Sequence, residues 1–392
     1  MVFSVKTYNN INQIGLKELG NHFQIDGDLA ENPDAYIIRS QNLHNTVFPD
    51  NLKAIARAGA GTNNIPVDEA TEKGIVVFNT PGANANAVKE AVLASILLSA
   101  RDYIAANAWV NTLSGDDVPK QIEAGKKQFA GSEITGKTLG VIGLGAIGAR
   151  IANYAYRLGM KVYGYDPYVS IEAAWNISHH VRRVSDLKEI FENCDYITVH
   201  VPLTPDTQGT FNADAFNLMQ KGTTIINFAR AELVDNDALF DALETGVVKR
   251  YITDFGTEDL LNKPKVTVFP HVGGSTGEAE LNCAIMAGQT IRRFMETGEI
   301  VNSVNFPRVQ QALSAPYRIT LINKNVPNIV ARISTAVSDF NINIDNIINR
   351  SKGDYAYTLL DLDETDKSKI DELVAKFEAS DNIVRVRLIK GK

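Results

Sequence analysis

Cysteine is almost missing from this chain: its 392 residues contain only Cys194 and Cys283. The two share no metal-ligand spacing and supply no disulfide framework, so both are expected as reduced thiols of a cytoplasmic protein. Long apolar runs are missing as well. The strongest, residues 91–100, is half of the roughly 20 residues a bilayer crossing needs, so a soluble protein with no membrane partner is expected. The first ten residues have neither a basic start nor an apolar stretch, leaving no secretory signal to assign. Blocks of one charge are absent too: 39 basic and 46 acidic side chains are interspersed, for a net charge of −7. This argues against a nucleic-acid partner held on a basic surface. What remains, 44% apolar and 22% charged, is ordinary for a globular protein, and the length calls for two or three domains.

Glycine gathers at the most informative place. Gly143, Gly145 and Gly148 follow an apolar strand pattern (137–142) and open a periodic helix carrying Ile147, Ile151, Tyr154, Ala155 and Leu158. Gly143 allows a tight turn, Gly145 lets backbone approach a pyrophosphate, and Gly148 permits close strand–helix packing. The helix start, with Ala146 and Ile147, offers unpaired N–H groups and a positive dipole end to phosphates. A second strand, 161–165, ends at Asp166, 18 residues past Gly148, where a carboxylate can accept both ribose hydroxyls. That charge repels a 2′-phosphate, and Pro167 and Tyr168 supply no arginine to bind one. The cofactor reading is NAD rather than NADP. The bland alternative, a glycine turn without a ligand, does not explain two strands, a helix and an acid in register.

Residues 1–95 alternate short strands (35–38, 52–56, 75–78) with helical segments, as in a parallel sheet buried on both faces. A long amphipathic helix is predicted over 86–113. Later strands of the dinucleotide unit fall at 196–199, 224–227, 251–253 and 266–269, and a helix over 277–296 leads back to the first domain. Two prolines and little periodicity make 302–316 a linker. The tail reads strand (317–322), helix (327–340), two strands (344–349, 355–362), helix (367–379), strand (383–389), a separate split-βαβ module. The fold class is therefore α/β: two Rossmann-like doubly wound parallel-sheet domains plus a C-terminal βαββαβ, ferredoxin-like domain. The expected division is 1–95 (completed by about 275–305) for substrate, 96–274 for NAD, a linker at 306–316, and 317–392 for the tail.

NAD chemistry also needs a proton donor and an anchor for the substrate's carboxylate. Arg230 sits just past the strand 224–227, at the sheet end where ligands bind. A guanidinium there can hold a carboxylate bidentately and polarise the neighbouring carbonyl. His271 follows 266–269 and precedes Gly273 and Gly274, whose backbone can approach a ligand closely; imidazole suits the proton that accompanies hydride transfer. A carboxylate from Glu258 or Asp259 would fix the imidazole's tautomer and raise its pKa. Each residue alone is weak: a lone arginine is more often an interface residue, and a lone histidine more often without a role. Their places after consecutive strands of one sheet shift that balance. His179 and His180 lack such placement and read as solvated loop; no metal site is expected.

With these residues in view, the chain resembles the D-isomer-specific 2-hydroxyacid dehydrogenases, in the short branch that acts on D-3-phosphoglycerate and ends in an ACT module. The likeness covers nearly all of the chain and rests on the 143–148 loop, His200-Val201-Pro202-Leu203-Thr204, Asn227-Phe228-Ala229-Arg230 and Pro270-His271-Val272-Gly273-Gly274-Ser275-Thr276. It implies NAD-dependent oxidation of 3-phosphoglycerate in a cleft between the two α/β domains, with Arg230 and His271 in the roles just described. It further implies that Asp254 contacts the nicotinamide and that Pro202, Thr207 and Ala229 line the cofactor cleft. The family's histidine-orienting glutamate falls on Asp259, with Glu258 one residue earlier, so which acid serves stays open. Arg39 and Arg57 match phosphate-binding arginines, the Gly59, Ala60 and Gly61 backbone can receive a carboxylate, and Asn84 matches a further substrate contact; an ion pair at the domain interface is the plainer reading of the arginines. In the tail, Asn325 and Asn343 match asparagines that hold L-serine in some ACT modules, Asn323 takes a histidine's position, and Asn328 replaces a glycine. L-serine as an effector competes with a purely architectural tail. A homodimer through the helix near 91–105, or a homotetramer through the tail, is expected. Two alternatives stay open: a general reductase of small 2-keto acids such as glyoxylate or hydroxypyruvate, and an NADH-sensing corepressor that binds peptides.

Overall fold

The short apolar runs fold as strands buried on both faces, as parallel pairing requires. The computed structural model, which describes residues 2–25 and 32–391, divides the chain into two units, residues 84–279 and residues 1–83 with 280–392. The 84–279 unit holds seven parallel strands in the order Val266–Val268, Val248–Thr253, Thr223–Asn227, Tyr196–Val199, Thr138–Ile142, Lys161–Tyr165, Arg182–Arg183. Chain order reverses between Thr138–Ile142 and Tyr196–Val199, which places a ligand crevice beyond their carboxyl ends. One face (Leu139, Val141, Ile226, Ile252) packs on Val92, Ile96, Ile151 and Ala155. The other (Ile142, Ile197, Val199, Ile225) packs on Ile190, Phe191 and Leu239.

The helix expected over 86–113 is two helices, Ala85–Ala100 and Tyr103–Val110. Between them Asp102 accepts the Ala105 N–H at 3.1 Å through one carboxylate oxygen and Arg250 at 2.5 Å through the other. A capping aspartate that also meets a buried-side arginine ends the run that the apolar periodicity alone would continue.

The other unit contains a five-stranded parallel sheet in the order Phe23–Ile25, Phe3–Thr7, Ala35–Ile38, Ala54–Arg57, Val76–Phe78. The sequence reading misses its first two strands, in which only Phe23 and Val5 are buried. The same unit holds a four-stranded antiparallel sheet in the order Ile344–Lys352, Tyr355–Leu362, Tyr317–Lys324, Ile383–Lys390. Period-2 alternation turns Ile319, Leu321, Leu360 and Leu362 toward the helices Ile329–Asp339 and Lys367–Glu378. The opposite face sends Ile322, Tyr357 and Leu359 into one core with Phe78, Ile291 and Phe294.

Polar contacts fasten that face. Arg318, fully buried, holds Asp361 through Nε (2.5 Å) and Nη2 (2.7 Å) and donates to the carbonyls of Thr297, Gln311 and Ala312. Its five N–H groups are all used. Tyr357 donates to the Gly298 carbonyl at 2.6 Å, and Arg387 donates to the carbonyls of Phe294 and Met295. Among these acceptors, the carbonyls of Phe294, Met295 and Thr297 belong to the last turn of the helix Gly277–Thr297, where carbonyls need partners from outside the helix. The tail thus forms the small antiparallel-sheet domain expected from sequence, with its own core, and its opposite face packs into the unit of residues 1–83. The stretch 306–316 is likewise no free linker: Phe306 and Val309 are buried, and Ile300 pairs with Val309.

Candidate active site

The glycine loop leaves the strand Thr138–Ile142 through Gly143, whose φ is +88° and whose N–H donates to the Tyr165 carbonyl at 2.8 Å. A Cβ on Gly148 would lie 1.8 Å from the Gly143 carbonyl oxygen, and one on Gly143 would lie 2.7 Å from that of His200. Gly145 has open space within 4 Å of that position. The first and last glycines are thus demanded by the protein's own packing, whereas Gly145 faces room for something else. Ile147 begins the helix Gly148–Arg157 with no side-chain cap; the Ala149 N–H donates to the Gly145 carbonyl at 3.1 Å, and the positive end of the helix dipole is available to an anion. Ala146 lies in the same turn. Asp166 sits at the end of Lys161–Tyr165 with one oxygen on the Leu144 N–H and the other on the Tyr168 N–H, both at 2.8 Å. The carboxylate is locked against the loop, and each oxygen retains a lone pair.

Beside this loop, Thr207 donates to the Pro202 carbonyl at 2.6 Å and accepts from the Thr204 N–H, closing the turn that carries Pro202. His200, unassigned from sequence, hydrogen-bonds the Thr198 hydroxyl through Nε2 at 2.8 Å, while its Nδ1 is buried with no partner among the described residues. Burial pushes its pKa down to about 3, so the ring is neutral. Asp254 is 4% exposed; one oxygen accepts the Gly273 N–H at 3.0 Å, and the other, Oδ1, is buried with no donor among the described residues. A buried carboxylate oxygen left unpaired is costly and marks a place for a donor from a ligand. Added Cβ atoms would meet the Phe228 ring at Gly273 (2.7 Å) and the Asn84 amide at Gly274 (2.5 Å), so both glycines are required by the walls around this point.

Arg230 and His271 are exposed and converge on one aromatic ring. The Arg230 guanidinium carbon stands 6.0 Å from the centroid of Phe255, and the His271 ring meets Phe255 edge-on at 4.7 Å. Asn227 positions Arg230 from the strand end: its Oδ1 accepts the Ala229 and Arg230 N–H groups, and its amide donates to the Arg230 carbonyl and the Tyr251 hydroxyl. Phe255 has no apolar periodicity around it, and the sequence reading passes over it. The acid expected on His271 is not there. Asp259 instead accepts from Asn236 at 2.8 Å and is held below the usual carboxylate range by hydrogen bonds from Thr257 and Asn236. Neither Asp259 nor Glu258 hydrogen-bonds the imidazole among the described residues. Both belong to a short turn, Glu258–Leu260, whose buried Leu260 fixes its orientation.

In the other unit, Arg57 is half-buried, and burial pushes its guanidinium below the ordinary value. It donates to the carbonyls of Arg39 (3.0 Å) and Gly61 (2.8 Å) and packs against Gly59, where a Cβ would come 2.6 Å from Nη1. Ala60 accepts from the Asn79 amide. Arg57 thus braces the loop of Gly59, Ala60 and Gly61 with part of its donor set. Arg39 is exposed and forms a 2.6 Å ion pair with Glu280 beside a cavity of about 270 Å³ that both residues line.

In the tail, Asn323 is fully buried: its amide donates to the Lys324 carbonyl, and its oxygen accepts from Thr358, which accepts from Asn349. The strand register makes it a satisfied core residue, in contrast to the ligand contact expected. Asn325 and Asn343 remain exposed, donating to the Gly353 carbonyl and to Asp363. Asn328 has φ +64°, the left-handed region a glycine enters more easily.

Residues 93–273 match the family described as D-isomer specific 2-hydroxyacid dehydrogenase, NAD binding domain. D-3-phosphoglycerate dehydrogenase of Methanocaldococcus jannaschii is 36% identical over 291 residues, 72% of this chain and 53% of that protein. The chain thus spans about half of that relative's length. D-3-phosphoglycerate dehydrogenase 1 of Saccharomyces cerevisiae is 30% identical over 363 residues, 86% of this chain and 74% of the yeast protein. Among solved structures, NAD⁺-bound 3-phosphoglycerate dehydrogenase of Entamoeba histolytica superposes with a TM-score of 0.59 at 25% identity, covering 78% of this chain and 99% of that one. Likeness at this identity, reaching across most of the yeast protein as well as most of this chain, extends past a shared fold, and the chain belongs to the D-isomer-specific 2-hydroxyacid dehydrogenases.

Proposed function

We propose that the protein oxidises D-3-phosphoglycerate to 3-phosphohydroxypyruvate with NAD, the first step of L-serine synthesis. The observation that carries the reaction type is the convergence of Arg230 and His271 on Phe255, in the same unit as the unpaired Asp254 oxygen. The names of the relatives support the phosphorylated substrate. The residues fit the cofactor: the uncapped helix start with Gly145, Ala146 and Ile147 would hold the pyrophosphate, Asp166 the ribose hydroxyls, and Asp254 Oδ1 would accept an amide N–H. Pro202, Thr207, Ala229, Gly273 and Gly274 wall the same cofactor site. When bound, NAD supplies the carbon that accepts the hydride.

The chain's own groups do the rest. His271 takes the proton of the C2 hydroxyl as the hydride leaves, and Arg230 binds the carboxylate and the C2 oxygen where negative charge gathers in the reverse direction. Asp259 or Glu258 reaches His271 only through a shift of the turn Glu258–Leu260, and Phe255 otherwise sets the ring's orientation. Arg39 and the free donors of Arg57 bind the phosphate, the Gly59, Ala60 and Gly61 backbone receives the carboxylate, and Asn84 adds a further contact. Buried, unpaired Cys194 and Cys283 fit a cytoplasmic setting. A homodimer or homotetramer is the assembly we infer. For the tail, the buried Asn323 favours an architectural role over L-serine capture, which would rest on Asn325 and Asn343 alone.

The test is NADH oxidation with 3-phosphohydroxypyruvate beside hydroxypyruvate and glyoxylate, with and without millimolar L-serine. A strong preference for the phosphorylated acid is expected. Equal rates on the unphosphorylated acids would make this a general 2-hydroxyacid dehydrogenase, and no turnover of any 2-keto acid would favour the corepressor class.

A further inference from the structure

Among the described residues Arg39 is ion-paired with Glu280, whose charge has the same sign as the proposed ligand's. A phosphate brought to Arg39 meets Glu280, whose Oε1 already holds Nη2 at 2.6 Å. The backbone of this corner is fixed independently: Asn9 accepts from the N–H groups of Arg39, Ser40 and Gln41, and Arg57 donates to the Arg39 carbonyl. The Arg39–Glu280 contact is therefore not needed to hold the loop. Its side chains are 41% and 45% exposed, so the pair is weak and opens at little cost. Glu280 also lies in the first turn of the helix Gly277–Thr297, where the helix dipole gives an acid a modest reason of its own to stay. Both partners line the cavity of about 270 Å³, which is large enough for a phosphate group.

The geometry points to Glu280 as a specificity-determining residue: Arg39 exchanges its carboxylate for the substrate's phosphate, and the competition sets how strongly phosphorylated acids are preferred. This rests on the phosphoglycerate reading above. With Glu280 in place, Arg39 and Arg57 present a net charge of +1 to an incoming dianion; without it they present +2. A dianion pays for the exchange because it carries two charges, whereas a neutral hydroxymethyl group gains nothing from it.

Glu280→Gln keeps the acceptor for Nη2 and removes the charge. One unit charge acting on a dianion a few ångströms away, near water, corresponds to about tenfold in affinity. We expect KM for 3-phosphohydroxypyruvate to fall about tenfold, with the effect on KM rather than kcat and KM for hydroxypyruvate changing less than twofold. Inorganic phosphate, titrated calorimetrically as a probe, should bind the variant about tenfold tighter than the wild type. A KM that rises for both acids, or phosphate affinity that does not change, would overturn the exchange and leave the pair a structural contact. Wild-type protein that shows no preference for the phosphorylated acid, while phosphate still binds Glu280→Gln more tightly, would instead sink the phosphoglycerate reading and leave the anion exchange standing.

Discussion

Gly145 and Gly148 differ in what forbids a side chain, and the difference can be measured. At Gly148 a methyl group would sit 1.8 Å from the Gly143 carbonyl oxygen, so helix and turn must separate by roughly 1.5 Å to restore ordinary contact. Forcing a methyl into closed packing costs about 1–3 kcal/mol. A displacement of this size also misplaces the N–H groups at the helix start, for which a loss of about a hundredfold is the usual scale. At Gly145 nothing stands within 4 Å of the added atom, so Ala is free of strain in the protein and collides only with a ligand. Gly148→Ala should therefore lower the melting temperature and weaken NADH binding about a hundredfold. Gly145→Ala should melt like the wild type yet bind NADH at least tenfold more weakly. Fluorescence titration of NADH beside thermal melts of the unliganded protein reads both effects. Wild-type NADH affinity in Gly145→Ala would remove the pyrophosphate from this loop, and an unchanged melting temperature in Gly148→Ala would refute the packing argument.

Two further predictions concern stability. His200 is held neutral when folded, with a pKa near 3 against about 6.5 unfolded, so the stability it contributes is complete above pH 6.5 and is lost as pH falls toward 3. At pH 5 the loss amounts to about 2 kcal/mol, and His200→Gln should reduce the difference between urea midpoints at pH 7 and pH 5 accordingly; an unaltered difference would mean another group governs the acid limb. Arg318→Met leaves Asp361 charged and buried, at a cost of about 3–5 kcal/mol. Adding Asp361→Leu should recover more than half of that loss, measured by denaturant midpoints; a single variant within about 1 kcal/mol of the wild type would show that the pair is not desolvated as drawn.

The parts of the site legible in the sequence are those made by short stretches of chain. Gly143, Gly145, Gly148 and Asp166 belong to one strand–helix–strand unit, and Arg230 follows a strand end where the chain leaves the sheet, so spacing alone carries their geometry. The parts that stay hidden depend on contacts between distant residues. Glu280 meets Arg39 across 241 positions, and nothing in either segment announces the pair. Phe255 carries no periodic signal, and its value lies in what flanks it. Asn323 shows the opposite failure: its position matches a ligand contact in ACT modules, but pairing with Ala356, beside Thr358, turns it into the sheet. The stretch expected as a linker, 306–316, is packed rather than loose: Pro307 and Pro316 break any periodic signal, while Phe306 and Val309 enter the core.

The tail's attachment bears on what it can do. The carbonyls of Phe294, Met295, Thr297 and Gly298, which Arg387, Arg318 and Tyr357 hold, lie at one end of the helix Gly277–Thr297, and Glu280 lies in that helix's first turn. A helix with hydrogen bonds along its length moves as a rod more readily than it bends. A change in the antiparallel sheet that altered its hold on Phe294, Met295, Thr297 or Gly298 would therefore reach Glu280, and through it Arg39, without any loop having to reorder. Arg318 opposes such a change, because Asp361 of the neighbouring strand fixes its guanidinium and sliding the sheet would part it from the Thr297 carbonyl in a dry core. A tail built this way holds in one arrangement the far end of the helix whose first turn carries Glu280.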